Sequence, residues 1–466
     1  MGQTLSLKRL AGGLAMLPLS LLATANAFAQ ESSVEERLAA LEGSSSAYVD
    51  NSYLFLIGGI IVMFMAAGFC MLEVGLVRSK NAAMQSMKNV ALFSIAGIMF
   101  YVIGYNVAYP GAWLGGDEGM KLFGQPAADA FFWSGGDVTV ESDAGYAPAS
   151  DWFFQMVFVA TAASIVSGTV AERVKLIPFL IFTAILTAFI YPVVAGWEWG
   201  TGYLDSSWGF SDFAGSTLVH STGGWAALVG AIIIGPRAGK YFGKQVNPMP
   251  GSNIPLAALG TFILWFGWFG FNGASQLAAG TAADINSVAQ IFANTNMAAC
   301  GGVIGAMLLT AILYKGKIDA TMVFNGAIGG LVSITAEPLV PSMGSATLIG
   351  FVGGLLVVAF VPILDKLKID DVVGAIPAHL VCGIWGTLIV AASYGNNIMP
   401  NEAGDPSYVG QLVGIALTGV FVSVASTIIW LLLKFTIGVR VSEEGETDGL
   451  DRHEVGLEAY PEFVSR

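Results

Sequence analysis

Three histidines occur in the 466 residues, and two of them, His220 and His379, fall inside long apolar runs, while His453 lies in a polar tail. An ionisable side chain at membrane depth is costly unless paired, which makes each of the two a functional candidate. The bland alternative is a packed histidine hydrogen-bonded to a neighbouring helix. Against it, each is followed four residues on by a glycine, Gly224 and Gly383, and Ala171-Glu172 and Ala336-Glu337 close earlier runs at a similar separation. Five apolar segments per half is an odd number, so a repeat of this kind must be inverted, and substrate paths commonly lie at the interface of inverted repeats. Two imidazoles at equivalent positions then meet near the middle of the bilayer. Burial disfavours their charged forms, and an N–H···N bond between them would relay a proton. Two other chemistries fit a histidine pair. His379 and Cys382 share a helix face and with His220 supply three zinc ligands, but a fourth is missing. A bis-histidine haem would make the chain an electron-transfer component and would need a cavity flanked by small residues, which the glycine content permits.

Aromatic residues cluster around the same runs. Phe154 and Phe158 lie one helical turn apart, and Trp265, Phe266, Trp268, Phe269 and Phe271 crowd a later segment. Such stripes are ordinarily core or lipid-facing surface. Trp197 and Trp199 sit where a helix leaves the bilayer; tryptophan there anchors helices at the headgroups, or holds a small cation on its ring face. Composition alone does not choose between these uses.

The elements that must position these residues are membrane helices. The chain is 55% hydrophobic and 11% charged, well below the quarter or so charged in ordinary soluble domains, and its 59 glycines suit helices packed backbone to backbone. Eleven apolar runs are long enough to span, at about 53–77, 89–109, 152–171, 176–195, 215–235, 254–272, 288–313, 321–340, 344–364, 372–392 and 409–433. Lys8 and Arg9, a short apolar stretch and Ala27-Phe28-Ala29 mark residues 1–29 as a signal peptide, which would place the mature N-terminus outside. With that start, sixteen of the eighteen remaining basic residues fall on the cytoplasmic side, and only Arg37 and Lys121 fall outside. The expectation is an all-α polytopic membrane protein of a bacterial inner membrane, N-out and C-in, with two inverted five-helix repeats plus one extra helix. Residues 30–51 read as an external arm, 52–433 as the transmembrane domain and 434–466 as a cytoplasmic tail. The loop 110–151 is acidic, with Asp117, Glu118, Asp129, Asp137, Glu141, Asp143 and Asp151 against one lysine, a surface that favours cations at the outer mouth or simply a solvated loop. Cys70, Cys300 and Cys382 all lie in apolar runs, so no disulfide framework is expected.

Longer motifs carry a resemblance. Phe154-Gln155-x-x-Phe158 leading to Ser167-Gly-Thr-Val-Ala-Glu172-Arg173, then Trp199-Gly-x-Gly, Asp212-Phe-Ala-Gly-Ser-x-x-Val-His220, Gly267-Trp-Phe-Gly-Phe271-Asn272, and Asp370-Asp371 to His379-x-x-Cys382-Gly383-x-Trp-Gly386 resemble the Amt/Mep/Rh ammonium transporter family, in particular its Amt branch. The resemblance runs from about residue 51 to the tail. It implies transport of ammonium or ammonia, with methylammonium as a further candidate substrate, and no enzymatic activity, no cofactor and no nucleic-acid partner. It also implies a recruitment site of Trp199, Phe158 and Ser275 supported by Asp212, a gate of Phe158 and Phe271, and twin pore histidines at His220 and His379. A homotrimer in the lipid bilayer is implied, with a PII signal protein as a partner at the cytoplasmic face; an ammonium sensor acting through the tail is the second functional class. Leu380 and the pair Gly273-Ala274 depart from the usual family residues, so packing beside His379 is where a difference is expected.

Overall fold

The computed structural model describes residues 46–109, 131–133, 144–401 and 403–463. The signal peptide, the first part of the external arm and nearly all of the acidic residues in the loop 110–151 lie outside them. Among the described residues eleven apolar helices follow one another: α1 Ser46–Leu76, α2 Ser79–Ala108, α3 Pro148–Thr169, α4 Leu176–Gly196, α5 Ser216–Ile234, α6 Ile254–Ala274, α7 Ala282–Leu313, α8 Ala320–Thr335, α9 Met343–Lys366, α10 Ile376–Ser393 and α11 Tyr408–Thr436. Ten are long and apolar enough to cross a membrane, and α8 is a shorter apolar helix of 16 residues. The protein is thus a multi-pass membrane protein. Its large exposed side chains, such as Phe262, Ile312, Leu348 and Val420, are apolar residues on outer helix faces, where lipid replaces water.

Helix limits differ from the apolar runs where polar residues find partners. The polar segment 46–52 already forms the first two turns of α1. α2 begins well before residue 89 and carries Lys88 inside it, 1% exposed, donating from Nζ to Ser167 O at 2.9 Å. Lys88 therefore belongs to the membrane-spanning bundle rather than to a cytoplasmic loop. α8 stops at Thr335, because Glu337 turns its carboxylate onto the amides of Leu339 and Val340, both at 3.1 Å, and Pro338 and Pro341 cannot continue a helix.

Small residues set how closely the helices approach. A Cβ on Gly350 of α9 would lie 1.9 Å from Ala298 O of α7, and one on Gly354 would lie 2.1 Å from Gly302 O. α3 and α5 are buried along nearly all their length and form the centre of the bundle.

The two histidine helices start in the same way. α5 opens with the wide π-helical turn Ser216–Ser221 and α10 with Ile376–Val381, and each turn carries its histidine. Single π turns of this kind recur at functional sites because the extra residue re-aims a side chain. Gly215 precedes the first turn with φ +106° and Gly374 precedes the second with φ +76°, a left-handed backbone that a side chain would strain. Asp212 accepts the amides of Gly215, Ser216, Thr217 and Leu218 at 2.7–3.0 Å. Asp371 accepts the amide of Ile376 at 2.7 Å. The Asp-Gly-His sets 212, 215, 220 and 371, 374, 379 share one separation of 159 residues, which the inverted repeat requires.

Candidate functional site

A column of rings runs through the bundle. At its outer end Trp199, just past α4, turns its edge to Phe158 of α3 with centroids 6.0 Å apart and planes at 78°. Its position is held by the indole N–H, which donates to Asp212 O at 3.1 Å. Phe158 then stacks on Phe271 of α6, with centroids 3.9 Å apart and planes 18° from parallel. Phe271 lies over His220 at 5.2 Å, and His220 faces His379 with the Nδ1 atoms 3.3 Å apart. One ring donates and the other accepts, so the pair can hold or exchange one proton. Phe69 of α1 closes the column below His379 at 5.8 Å. Both phenyl rings and both imidazoles are at most 2% exposed, so a charged species between them would lose its water.

The supporting groups follow from local sequence. Ser275 stands one turn after Phe271 and donates from Oγ to Phe271 O at 2.8 Å. Trp268, on the same helix as Phe271, stacks on His220 at 5.0 Å and donates its indole N–H to Thr335 Oγ1 at 2.8 Å. Nε2 of His220 has no hydrogen-bond partner among the described residues. Burial pushes the Asp212 carboxyl up to about 6, while its four backbone donors pull the other way, so it is ionised at neutral pH. Next to it, burial and the charge of Asp212 push Glu198 well above the usual carboxylate range, and Glu198 Oε1 accepts the Asp212 amide at 2.7 Å. Asp212 thus acts through the backbone of α5 and the Trp199 ring position.

The rival chemistries do not find their geometry. The imidazoles are hydrogen-bonded to each other, which leaves no place for a haem iron between them. Cys382 donates to Gly353 O at 3.4 Å, and among the described residues no group of three or more His, Cys, Asp and Glu could hold a metal ion.

The basic end of the bundle is closed by an ion cluster. Arg78 pairs with Glu172 at 2.5 Å, Arg237 with Glu172 at 3.2 Å and Arg237 with Asp370 at 2.9 Å. Burial raises both carboxyls, but the guanidinium groups outweigh it and hold Glu172 and Asp370 below the usual carboxylate range. The tail docks beside them. Val439 O accepts the Lys175 amide at 3.0 Å, Val441 N–H donates to Arg173 O at 3.1 Å, and the Asp451 carboxylate takes the Ala83 and Met84 amides at the start of α2.

Three residues of this region escaped the sequence reading. Trp268 was one aromatic among many, and only its stack on His220 sets it apart. Phe69 has no motif. Glu73 carried a usable signal, a carboxylate inside an apolar run.

A narrow, ring-lined path with a buried histidine pair, inside a multi-helix bundle built on inverted repeats, defines a membrane transporter or channel. The profile of the Ammonium Transporter Family matches residues 53–460, and the chain belongs to that family. It is 40% identical to the ammonium transporter Amt2 of Archaeoglobus fulgidus over 435 residues, 88% of each chain. It is 37% identical to a putative ammonium transporter of Synechocystis, over 88% of this chain and 89% of that one. Among solved structures, a sensor Amt protein superposes with a TM-score of 0.79 at 35% identity, covering 88% of this chain and 98% of that one. Candida albicans Mep2 shares the fold, with a TM-score of 0.73 at 24% identity over 86% and 88% of the two chains.

Proposed function

We propose that the chain carries ammonium across the membrane by holding the cation at an outer aromatic site, taking a proton from it, and passing neutral ammonia through the ring-lined pore. The reading rests above all on the stacked Phe158–Phe271 pair lying directly over the hydrogen-bonded His220–His379 pair. The indole of Trp199, the ring of Phe158 and the Ser275 hydroxyl recruit the ion, the first two through their ring faces. Ammonium and potassium are of similar size, so carbonyl oxygens alone would separate them poorly. Desolvation at the phenyl pair discriminates instead, because ammonium has a neutral form to retreat to and potassium has none. The proton given up outside is relayed by the two imidazoles, which makes transport electrogenic. Family membership and the transporter names of the relatives support ammonium as the substrate, with methylammonium as a larger congener. A homotrimer, each subunit with its own pore, and a PII-type partner at the cytoplasmic face complete the proposal.

A second reading is favoured by two observations. The likeness to a sensor Amt protein, together with a tail held by hydrogen bonds to the bundle, fits signalling of occupancy through residues 434–466. An ammonium jump applied to vesicles holding the purified protein separates carriage from sensing alone. Current is expected with ammonium and with methylammonium and not with potassium. A potassium current as large as the ammonium current would contradict the proposed selectivity, and no current with any of them would contradict electrogenic carriage.

A further inference from the structure

Below the histidine pair a small cavity is lined by Phe69 and Glu73 of α1, by Ser164 of α3, by Asn325 of α8, and by Val373 and His379. Phe69 and Glu73 are one helical turn apart, so α1 presents the ring to His379 and the carboxylate one turn further toward the basic end. Glu73 is 1% exposed, and its two oxygens are treated unequally. Oε2 accepts from Asn89 Nδ2 at 2.7 Å, from Ser167 Oγ at 2.9 Å and from Gln85 Nε2. Oε1 is buried with no hydrogen-bond partner. A buried carboxylate oxygen without a donor is expensive, and native proteins keep such groups where function needs them. Lys88 bonds the same stretch of α3 through Ser167 O, which puts a buried cation near the carboxylate and makes either protonation state tolerable in the bundle.

We propose that Glu73 is the inner proton-exchange site of the pore, where ammonia leaving the histidine pair is turned back into ammonium. This deepens the reading given above and rests on it. Ammonia entering the cavity takes the proton of the Glu73 carboxylic acid: the O–H bond breaks, an N–H bond forms, and ammonium beside a carboxylate results. The cation is then bound by Oε1, the oxygen that the protein leaves free, before it departs to the basic end. The carboxylate recovers its proton from His379 across the cavity. That proton is the one ammonium surrendered at the outer site, so atoms and charge balance without another reactant. Oε2 stays tied to α2 and α3 throughout, which keeps the carboxyl plane aimed at the cavity.

The test compares the full-length parent with E73Q and E73D in reconstituted vesicles, recording current and internal pH after an ammonium jump. Glutamine can keep an acceptor on the Oε2 donors but has no exchangeable carboxyl proton. E73Q is expected to lose current about a hundredfold, the lower range for a positioned proton donor, while ammonia entry still alkalinises the interior. E73D, with its carboxyl, is expected to retain current. Infrared difference spectra of the parent, ammonium minus buffer, should show loss of a protonated carboxyl C=O band that E73Q lacks. Current and spectra unchanged in E73Q would overturn the role of Glu73 alone. A parent without current would overturn the deprotonation reading and the exchange site with it. If E73Q fails to reach the membrane, the band in the parent and the E73D current still decide.

Discussion

At the scale of single residues, the proposed selectivity turns on what a cation and its neutral form can each do against a dry imidazole pair. An acidic side chain in place of either histidine would still exchange a proton, but it would also attract an ion that cannot lose one. His379→Glu is therefore expected to keep ammonium flux and to gain a potassium-evoked current that the parent lacks, read by a potassium jump on the same vesicles. His220 and His379 were legible in the sequence because their residue type is rare in apolar runs and their spacing repeats. Phe158, Phe271 and Trp199 became legible only through the longer motifs, since an aromatic in an apolar helix is usually packing. Glu73 announced itself as a carboxylate in an apolar run, but its partners come from α2 and α3, as far as 94 residues away, so its surroundings could not be read from the sequence.

At the scale of helices, the pore depends on how closely α5 and α10 approach. Leu380, the residue that departs from the usual family pattern beside His379, packs against the bare face of Gly224: a Cβ there would lie 2.6 Å from Leu380 Cβ and 2.9 Å from its Cα. Gly224→Ala must therefore push the two histidine helices apart. Overpacking of this kind costs about 1–3 kcal/mol. A lower thermal midpoint of the detergent-purified protein is expected, together with reduced ammonium current, whereas Ala at Gly344, where an added Cβ would meet nothing closer than Ser342 Oγ at 3.8 Å, is expected to leave the current unchanged. The existence and order of the helices could be read from apolar runs, but their ends could not. α2 starts within a polar stretch, where Lys88 and Glu73 each find a partner in Ser167 of α3, an arrangement invisible to a hydropathy count. The π turns were likewise unreadable, since the apolar pattern is the same for an α and a π turn, although Asp212 and Asp371, which accept amides of those turns, lie within six residues of them.

At the scale of the molecule, the basic end is locked by charge and by the docked tail. Glu172 and Asp370 are held below the usual carboxylate range, so their contribution to stability is fully present above about pH 4–5 and is lost as pH falls through their folded-state values. Thermal midpoints should therefore drop steeply on acidification. Glu172→Gln leaves Arg237 without one of its two partners, which should lower the midpoint at neutral pH by an amount corresponding to about 3–5 kcal/mol and flatten the acid limb. Truncation after Lys434 removes the amide pairings of Val439 and Val441 and the Asp451 cap on α2. A fall in the melting temperature and loss of binding to a PII-type protein are expected, and unchanged melting and binding would show the tail to be a passenger. The resemblance reaches the tail, but its partners on α2 and on the turn after α3 could not be read from the sequence.

Carriage itself belongs to the whole pore, and the histidine pair is its narrowest commitment. The most direct measurement records ammonium-evoked current and internal pH together in vesicles carrying the parent, His220→Ala or His379→Ala at matched protein density. Each alanine leaves the partner ring unpaired in a dry path, at a cost of about 1–3 kcal/mol, and would break the proposed proton relay. Loss of the current in both variants, with the protein still folded and inserted, is the expected result. Currents and ammonium selectivity equal to those of the parent in both variants would mean that the histidines only pack, and that the proton does not pass through them.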